Sequence, residues 1–285
     1  MLVIGGDITG KYFIPIVEQP DGTLNTTYLG KEYKLKPGKE LEDLQTRIRA
    51  AGYYVYRTNL NDLQELRNNP SRSEQIFETL ITESLRRLMS YAEQKLKGTK
   101  IKCYVSPGND DALFIDKVLA ESKTVINPEG QVIDLDDIHE MASTGYTNMT
   151  PWKCPRDIPE EQLMKRIEEM TSKLKNPSRS VFNFHCPPYD TTLDGAPQLD
   201  EELKPKMSAS GPVMAPAGSK AVRAAIEKFQ PLLGLHGHIH ESKGYFPIGR
   251  TICVNPGSEY TEGILRGFLA ELTEDKVKDF LFVSA

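Results

Sequence analysis

Leu235-His236-Gly237-His238-Ile239-His240 places three of the chain's five histidines within six residues. In an extended backbone side chains alternate between faces, so His236, His238 and His240 would project together. Imidazole is the commonest metal ligand on a protein, and neighbouring imidazoles can reach one ion, or two ions ~3.5–4 Å apart. Such a cluster is a candidate metal-binding edge that on its own could be chance, so the rest of the chain must supply the missing ligands.

Three further stretches repeat one arrangement, an apolar strand that ends in glycine or proline beside a ligand-type side chain. Leu2-Val3-Ile4 runs into Gly5-Gly6-Asp7, Ile101–Val105 delivers Ser106-Pro107-Gly108-Asn109-Asp110-Asp111, and Ser180–Phe184 ends at His185 before Cys186-Pro187-Pro188. Polar groups just past the carboxyl ends of strands are where α/β sheets hold ligands. Leu232–Leu235 would be the strand that carries the histidines.

Between these stretches the periodicity predicts helices over 39–50, 71–96, 112–121, about 157–175 and from Ser219 to Phe229. Residues 12–18 and 23–29 read as a peripheral hairpin joined at Pro20-Asp21-Gly22, within a segment 12–30. Gly267–Leu272 and Lys278–Val283 read as a closing antiparallel pair. Residues 187–218 are rich in Pro, Gly, Ser and Asp and lack periodicity, the composition of a lid or of a disordered loop. His139 stands among Asp134, Asp136, Asp137 and Glu140, which reads as a solvated acidic surface rather than a metal site.

Lys and Arg number 35 against 40 Asp and Glu, a net charge of −5, which excludes broad electrostatic binding to nucleic acid. With 39% hydrophobic residues the chain is neither disordered nor membrane-like, and its four dispersed cysteines suit a reduced compartment. The reading is a cytoplasmic protein with no membrane partner, and homo-oligomerisation is left open. The GxGxxG and GxxxxGK[ST] patterns are absent, against nucleotide-driven chemistry.

Gly5-Gly6-Asp7-Ile8-Thr9-Gly10, Gly108-Asn109-Asp110-Asp111, His185 with its strand, and Gly237-His238-Ile239-His240 together resemble the ordered motifs of the calcineurin-like metallophosphoesterases. The Gly-Asn-Asp-Asp form is similar to the Icc-related predicted phosphoesterases. The resemblance runs from residue 1 to about 258. It implies one domain over 1–285, a four-layer α/β/β/α sandwich of two mixed sheets flanked by helices. It also implies two divalent ions (Mn, Fe, Zn or Ni) and hydrolysis of a phosphomonoester or phosphodiester by a metal-bound hydroxide. Asp7 would bridge the ions, Asn109, His185 and His238 would complete one set, and His240 would serve the other. Asn109 and Asp110 would meet the substrate, and Asp7, Asn109, Asp110 and His238 would carry catalysis.

The family opens with an Asp-x-His motif that has no counterpart before Asp7, so the first strand of the fold is expected to be missing. One ion should then be held well and the other weakly or not at all, through a late start codon, a shortened chain or loss of function. Asp110 stands where many members have a histidine that protonates the leaving group. His236, Asp110 and Asp111 are candidates to compensate in part for the incomplete set, ranked below a structural or supporting role for each. The rival reading is a catalytically silent scaffold that uses the same fold for protein contacts. Zinc-dependent amide hydrolysis is weakened by the lack of an HExxH helix.

Overall fold

The computed structural model describes residues 1–285 throughout. The chain opens with β1 (Leu2–Gly5), β2 (Phe13–Glu18), β3 (Leu24–Tyr28), β4 (Lys31–Leu35), helix α1 (Lys39–Ala50) and β5 (Tyr54–Asn59). Helices α2 (Leu60–Asn68) and α3 (Pro70–Leu96) follow, then β6 (Cys103–Ser106), α4 (Ile115–Leu119), β7 (Val125–Ile126), β8 (Gln131–Asp134) and β9 (Glu140–Thr144). After α5 (Glu160–Thr171) and β10 (Val181–Phe184) come four short strands, β11 (Gly195–Pro197), β12 (Met207–Ser208), β13 (Gly211–Pro212) and β14 (Met214–Pro216). The chain closes with α6 (Lys220–Phe229), β15 (Leu233–Leu235), β16 (Gly244–Ile248), β17 (Thr251–Asn255), β18 (Arg266–Thr273) and β19 (Lys276–Ser284). The architecture is mixed α/β, the class expected from the sequence.

Contacts divide the chain into two compact units. The first comprises Met1–Ile8, Ala92–Glu259 and Leu265–Ala285, and it contains every strand end singled out above. Its larger sheet runs β16-β17-β15-β10-β9-β8, with a parallel centre and antiparallel edges, and its smaller sheet is the all-parallel β1-β6-β7.

Alternation along β10 shows how the layers form. Phe182 and Phe184 face one side, where their stacked rings join Leu163, Ile167 and Met170 of α5 and Val222 and Ile226 of α6 in one buried cluster. Val181 faces the other side and packs with Tyr104 of β6, Leu233 of β15 and Val254 of β17. Val3 of β1 and Phe268 and Leu272 of β18 complete this second apolar layer. On the same face as Val181, Asn183 donates through Nδ2 to the hydroxyls of Ser106 and Ser143, both at 2.7 Å. A buried polar joint thus ties β6, β9 and β10 within an otherwise apolar layer.

The second unit, Thr9–Tyr91 with Tyr260–Ile264, contains the sheet β4-β3-β2-β5. The expected hairpin is present as β2 and β3, but β2 also pairs in parallel with β5 over its whole length, so it is central to this sheet. Leu41, Leu44 and Ile48 of α1 are buried against Ile16, Leu24 and Tyr28.

Several elements depart from the sequence reading. Helix α2 follows β5 without a break, because the Asn59 side chain caps it by accepting from the Asp62 amide at 3.0 Å. Helix α5 begins at Glu160 rather than near Asp157, and Glu160 caps its neighbour α6 instead, accepting from the Lys220 and Ala221 amides at 2.9 Å. Residues 187–218 carry two small hairpins, β11–β14 and β12–β13. Their base is pinned by the buried Asp194 carboxylate, which accepts from the amides of Asp190, Thr191 and Gly218 at 2.9–3.0 Å.

Replacing Phe182 by Ala removes a fully buried ring from the centre of the helix-facing layer. The expected loss is about 3–5 kcal/mol, read as a lowered thermal midpoint, and an unchanged midpoint would contradict this packing.

Candidate metal centre

Four parallel strands deliver the site. β1 and β6 are neighbours, and Gly6 continues their ladder by donating its amide to Ser106 O at 3.1 Å. β10 and β15 are neighbours in the larger sheet, and Gly237 donates to His185 O at 2.9 Å. The two pairs of carboxyl ends meet, and Asp7, His185 and His238 offer ligand atoms that all lie within 4.8 Å of one another. The sequence reading places all three in one ligand set; His240, Asp110 and Asp111 lie outside this cluster.

The approach is close enough to restrict the backbone. Gly6 has φ +90°, and a Cβ there would lie 2.1 Å from His185 Nδ1. A Cβ on Gly108 would lie 2.3 Å from the Asp7 amide nitrogen and from its Oδ1. Two residues of the cluster themselves take left-handed conformations, Asp7 at φ 47° and His238 at φ 65°. His238 is the centre of a three-residue turn closed by Ile239 N donating to Gly237 O at 2.7 Å. With positive φ this is the rarer and strained form of γ-turn. Buried Asn255 holds it from outside, donating through Nδ2 to Gly237 O at 3.2 Å and Ile239 O at 2.8 Å.

The loops are anchored by groups that the sequence reading placed in supporting roles or overlooked. Asp111, fully buried, accepts through Oδ2 from Ile8 N at 3.0 Å and Gly108 N at 2.7 Å, which joins the loop after β1 to the loop after β6. Arg156, also fully buried, pairs with Asp116 at 3.1 Å and donates to the Asp111 and Ala112 carbonyls. The Asp110 amide donates to Asp7 Oδ1 at 3.1 Å, while its carboxylate faces the Cys154 thiol at 3.8 Å. Burial, foremost, pushes that thiol up to about 11, so Cys154 stays a neutral thiol. His236 turns away from the cluster and uses Nδ1 on the carbonyls of Phe184 and Cys186, at 2.8 and 3.0 Å, in a supporting role. His139 is buried rather than solvated, bonding Asp136 through Nδ1 and the Thr273 carbonyl through Nε2 at 3.0 Å.

His185 shows what the site demands. Its Nδ1 faces Gly5 O at 3.3 Å and its Nε2 faces Asp7 Oδ2 at 3.1 Å, both acceptors. A neutral imidazole has one N–H, so satisfying both contacts takes a cation between Nε2 and the carboxylate, either a proton or a metal ion. Burial opposes protonation of His185, yet the Asp7 charge and hydrogen bond outweigh it and raise its pKa above the ordinary value. Burial also opposes ionisation of Asp7, and the His185 charge and hydrogen bond overturn that, holding its carboxyl far below the usual range. His238 goes the other way: burial, then the His185 charge, pushes it down to about 4, so it stays neutral with a lone pair available.

Asn109 lies beside this group rather than across it. Its Oδ1 lies 2.9 Å from His238 Nδ1, and its Nδ2 donates to Asp157 Oδ1 at 2.9 Å. One carboxylate, two imidazoles and an adjacent amide oxygen form a mixed N/O donor set that suits a borderline first-row divalent ion. The residues present therefore fit one metal ion.

No family model matches the chain. It is similar to the uncharacterized protein MJ1162 of Methanocaldococcus jannaschii, 31% identical over 153 residues, or 53% of this chain and 61% of that protein. The chain thus spans less than two thirds of the length of this curated relative. Among solved structures, TT1561 of Thermus thermophilus aligns with a TM-score of 0.43 at 18% identity, covering 64% of this chain and 73% of that one. A Thermus thermophilus sulfate thiohydrolase, SoxB, in complex with glycerol aligns at 0.37 and 13% identity, covering 86% of this chain and 41% of that one. No helix is long and apolar enough to cross a membrane.

Replacing Gly6 by Ala forces a methyl group into the His185 ring and strains a left-handed backbone. The expected cost is about 2–4 kcal/mol, from overpacking and from the Cβ penalty at positive φ. A thermal midpoint equal to that of the unmodified protein would show that the ring does not sit against this residue.

Proposed function

We propose that Asp7, His185 and His238, with Asn109 beside them, hold a divalent metal ion, and that the chain is a metal-dependent phosphoesterase acting on a phosphomonoester or phosphodiester. The observation that carries this reading is the convergence of Asp7, His185 and His238 from separate strand ends, with ligand atoms that all lie within 4.8 Å of one another. The order of the motifs, Asp7, Asn109, His185 and then His238-Ile239-His240, supports phosphoester chemistry in particular.

A divalent ion there supplies Lewis-acid activation of water and neutralises charge on a phosphoryl oxygen. The chain's own residues hold and orient it. Asp7 contributes the negative charge, and the Asp110 amide on its Oδ1 leaves Oδ2 turned to His185. The Gly5 carbonyl holds His185 in the tautomer with the proton on Nδ1, so that its Nε2 lone pair meets the ion. Asp110 and Asn109 are proposed to meet the substrate. His240 is proposed to serve a second, weaker ion position.

Because the raised pKa of His185 makes a proton compete for the same place, metal affinity should fall as the pH drops below that pKa, by up to about tenfold per unit. His238, pushed down to about 4, adds no competition near neutrality. Titration calorimetry with Mn²⁺ at several pH values, in buffers of differing ionisation enthalpy, should show proton release on binding. Affinity independent of pH would contradict a proton held between Asp7 and His185.

The purified chain should hydrolyse an aryl phosphodiester in the presence of Mn²⁺, and Asp7→Ala or His238→Ala should abolish bound metal. Hydrolysis should then fall by more than ~100-fold, the upper end of what losing a group in the shell outside the ligands costs. Metal retained in either variant overturns the ligand assignment. Metal lost together with no hydrolysis in the unmodified chain favours the silent scaffold.

A further inference from the structure

Strand β17 ends in Asn255-Pro256-Gly257-Ser258, a polar turn that supplies none of the residues of the metal cluster. It nevertheless holds the backbone of the histidine loop at three carbonyls. Asn255 Nδ2 donates to Gly237 O at 3.2 Å and to Ile239 O at 2.8 Å, and Ser258 N donates to His240 O at 3.1 Å. Close approach is what this demands of Gly257, where φ is 73° and a Cβ would lie 3.1 Å from His240 O and 3.0 Å from Lys243 Cβ.

The Asn255 amide can sit only one way round. Carbonyls only accept, so its NH₂ must face Gly237 and Ile239, and the Gly257 N–H only donates, at 2.9 Å, so its Oδ1 must face that group. At 1% exposure, Asn255 has no bulk water beside it to take over the two bonds it donates. The loop needs such a hold because His238 stands at φ 65°, in a γ-turn closed by Ile239 N on Gly237 O at 2.7 Å. A histidine released from that turn falls back to negative φ. Its imidazole then moves relative to Asp7 and His185, which follow other strands.

We propose that Asn255 is a positioning residue: by clamping the carbonyls of both neighbours of His238, it keeps that imidazole in the ligand cluster. The consequence for metal rests on the metal-centre reading, whereas the hold on the turn does not. Asn255→Asp is the sharpest test. It keeps the shape and the acceptor for Gly257 N–H, but it puts an oxygen where the two donated bonds were, facing two carbonyl oxygens.

Hydrogen exchange of the Ile239 amide in the metal-free full chain reads the turn, and titration calorimetry of the folded protein with Zn²⁺ reads the ligand set. In Asn255→Asp the Ile239 amide should exchange about 10–100-fold faster, as the loss of buried hydrogen bonds implies. Zn²⁺ should bind about 10–100-fold more weakly, and with Co²⁺ in its place the visible absorption bands should shift as an imidazole leaves the ion. Thr251→Val removes a buried hydroxyl at the other end of the same strand. It should change none of these readings, whatever it does to the thermal midpoint, which separates positioning from stability. Ile239 exchange equal to that of the unmodified protein refutes the proposal, and so does unchanged Zn²⁺ affinity where exchange has risen. If Asn255→Asp does not fold, Asn255→Ser takes its place with the same expected and refuting results. If exchange rises as expected but the unmodified chain binds no Zn²⁺, the hold on the turn stands and the metal-centre reading fails.

Discussion

One contact organises the site: Asp7 Oδ2 against His185 Nε2 at 3.1 Å, between residues 178 apart in the sequence. The two residues follow strands of different sheets, β1 and β10, and neither can be brought to the other unless the loops behind them are narrow. The glycines follow from that, since any side chain at Gly6 would occupy the His185 ring and any at Gly108 would occupy Asp7. The polar joint of Asn183 with Ser106 and Ser143 follows as well. It lies one step below the site on the same strands and sets the sheets in register where an apolar pair could slide. Ligand geometry and sheet packing are therefore one constraint seen at two heights.

Much of this is legible in the sequence because strand-end chemistry is local. Gly5-Gly6-Asp7, Gly108-Asn109, His185 and His238 each follow closely on an apolar run, and the structure brings Asp7, His185 and His238 together with Asn109 beside them. The histidine cluster divides in a way that alternation could not foresee. The turn at His238 breaks the extended backbone, so His236 points back to the Phe184 and Cys186 carbonyls while His238 points to the site. Asp157 and Asn255 are not legible because their partners lie far along the chain, and a buried aspartate before a helix looks like any cap. By its sequence Asp157 is the start of α5, whereas it belongs to the loop that holds Asn109. His139 misleads for a related reason. Its acidic neighbours suggest solvent, but the Thr273 carbonyl at the far end of the chain covers it.

The same constraint explains where the fold gives up stability. Left-handed Asp7 and His238 each cost of order 1 kcal/mol or more relative to ordinary backbone, and both lie at the cluster. Each is braced by a buried side chain from another element: Asp111 accepts from the residue after Asp7, and Asn255 donates to the carbonyls on both sides of His238. The apolar clusters contain neither residue, so apolar packing does not impose either turn. Both turns lie where three side chains that could hold a metal ion converge within 4.8 Å. That pattern of local cost and remote support accords with the proposed metal centre. It also locates the weak point: the braces are hydrogen bonds to single side chains, so the site should loosen before the sheets that carry it do.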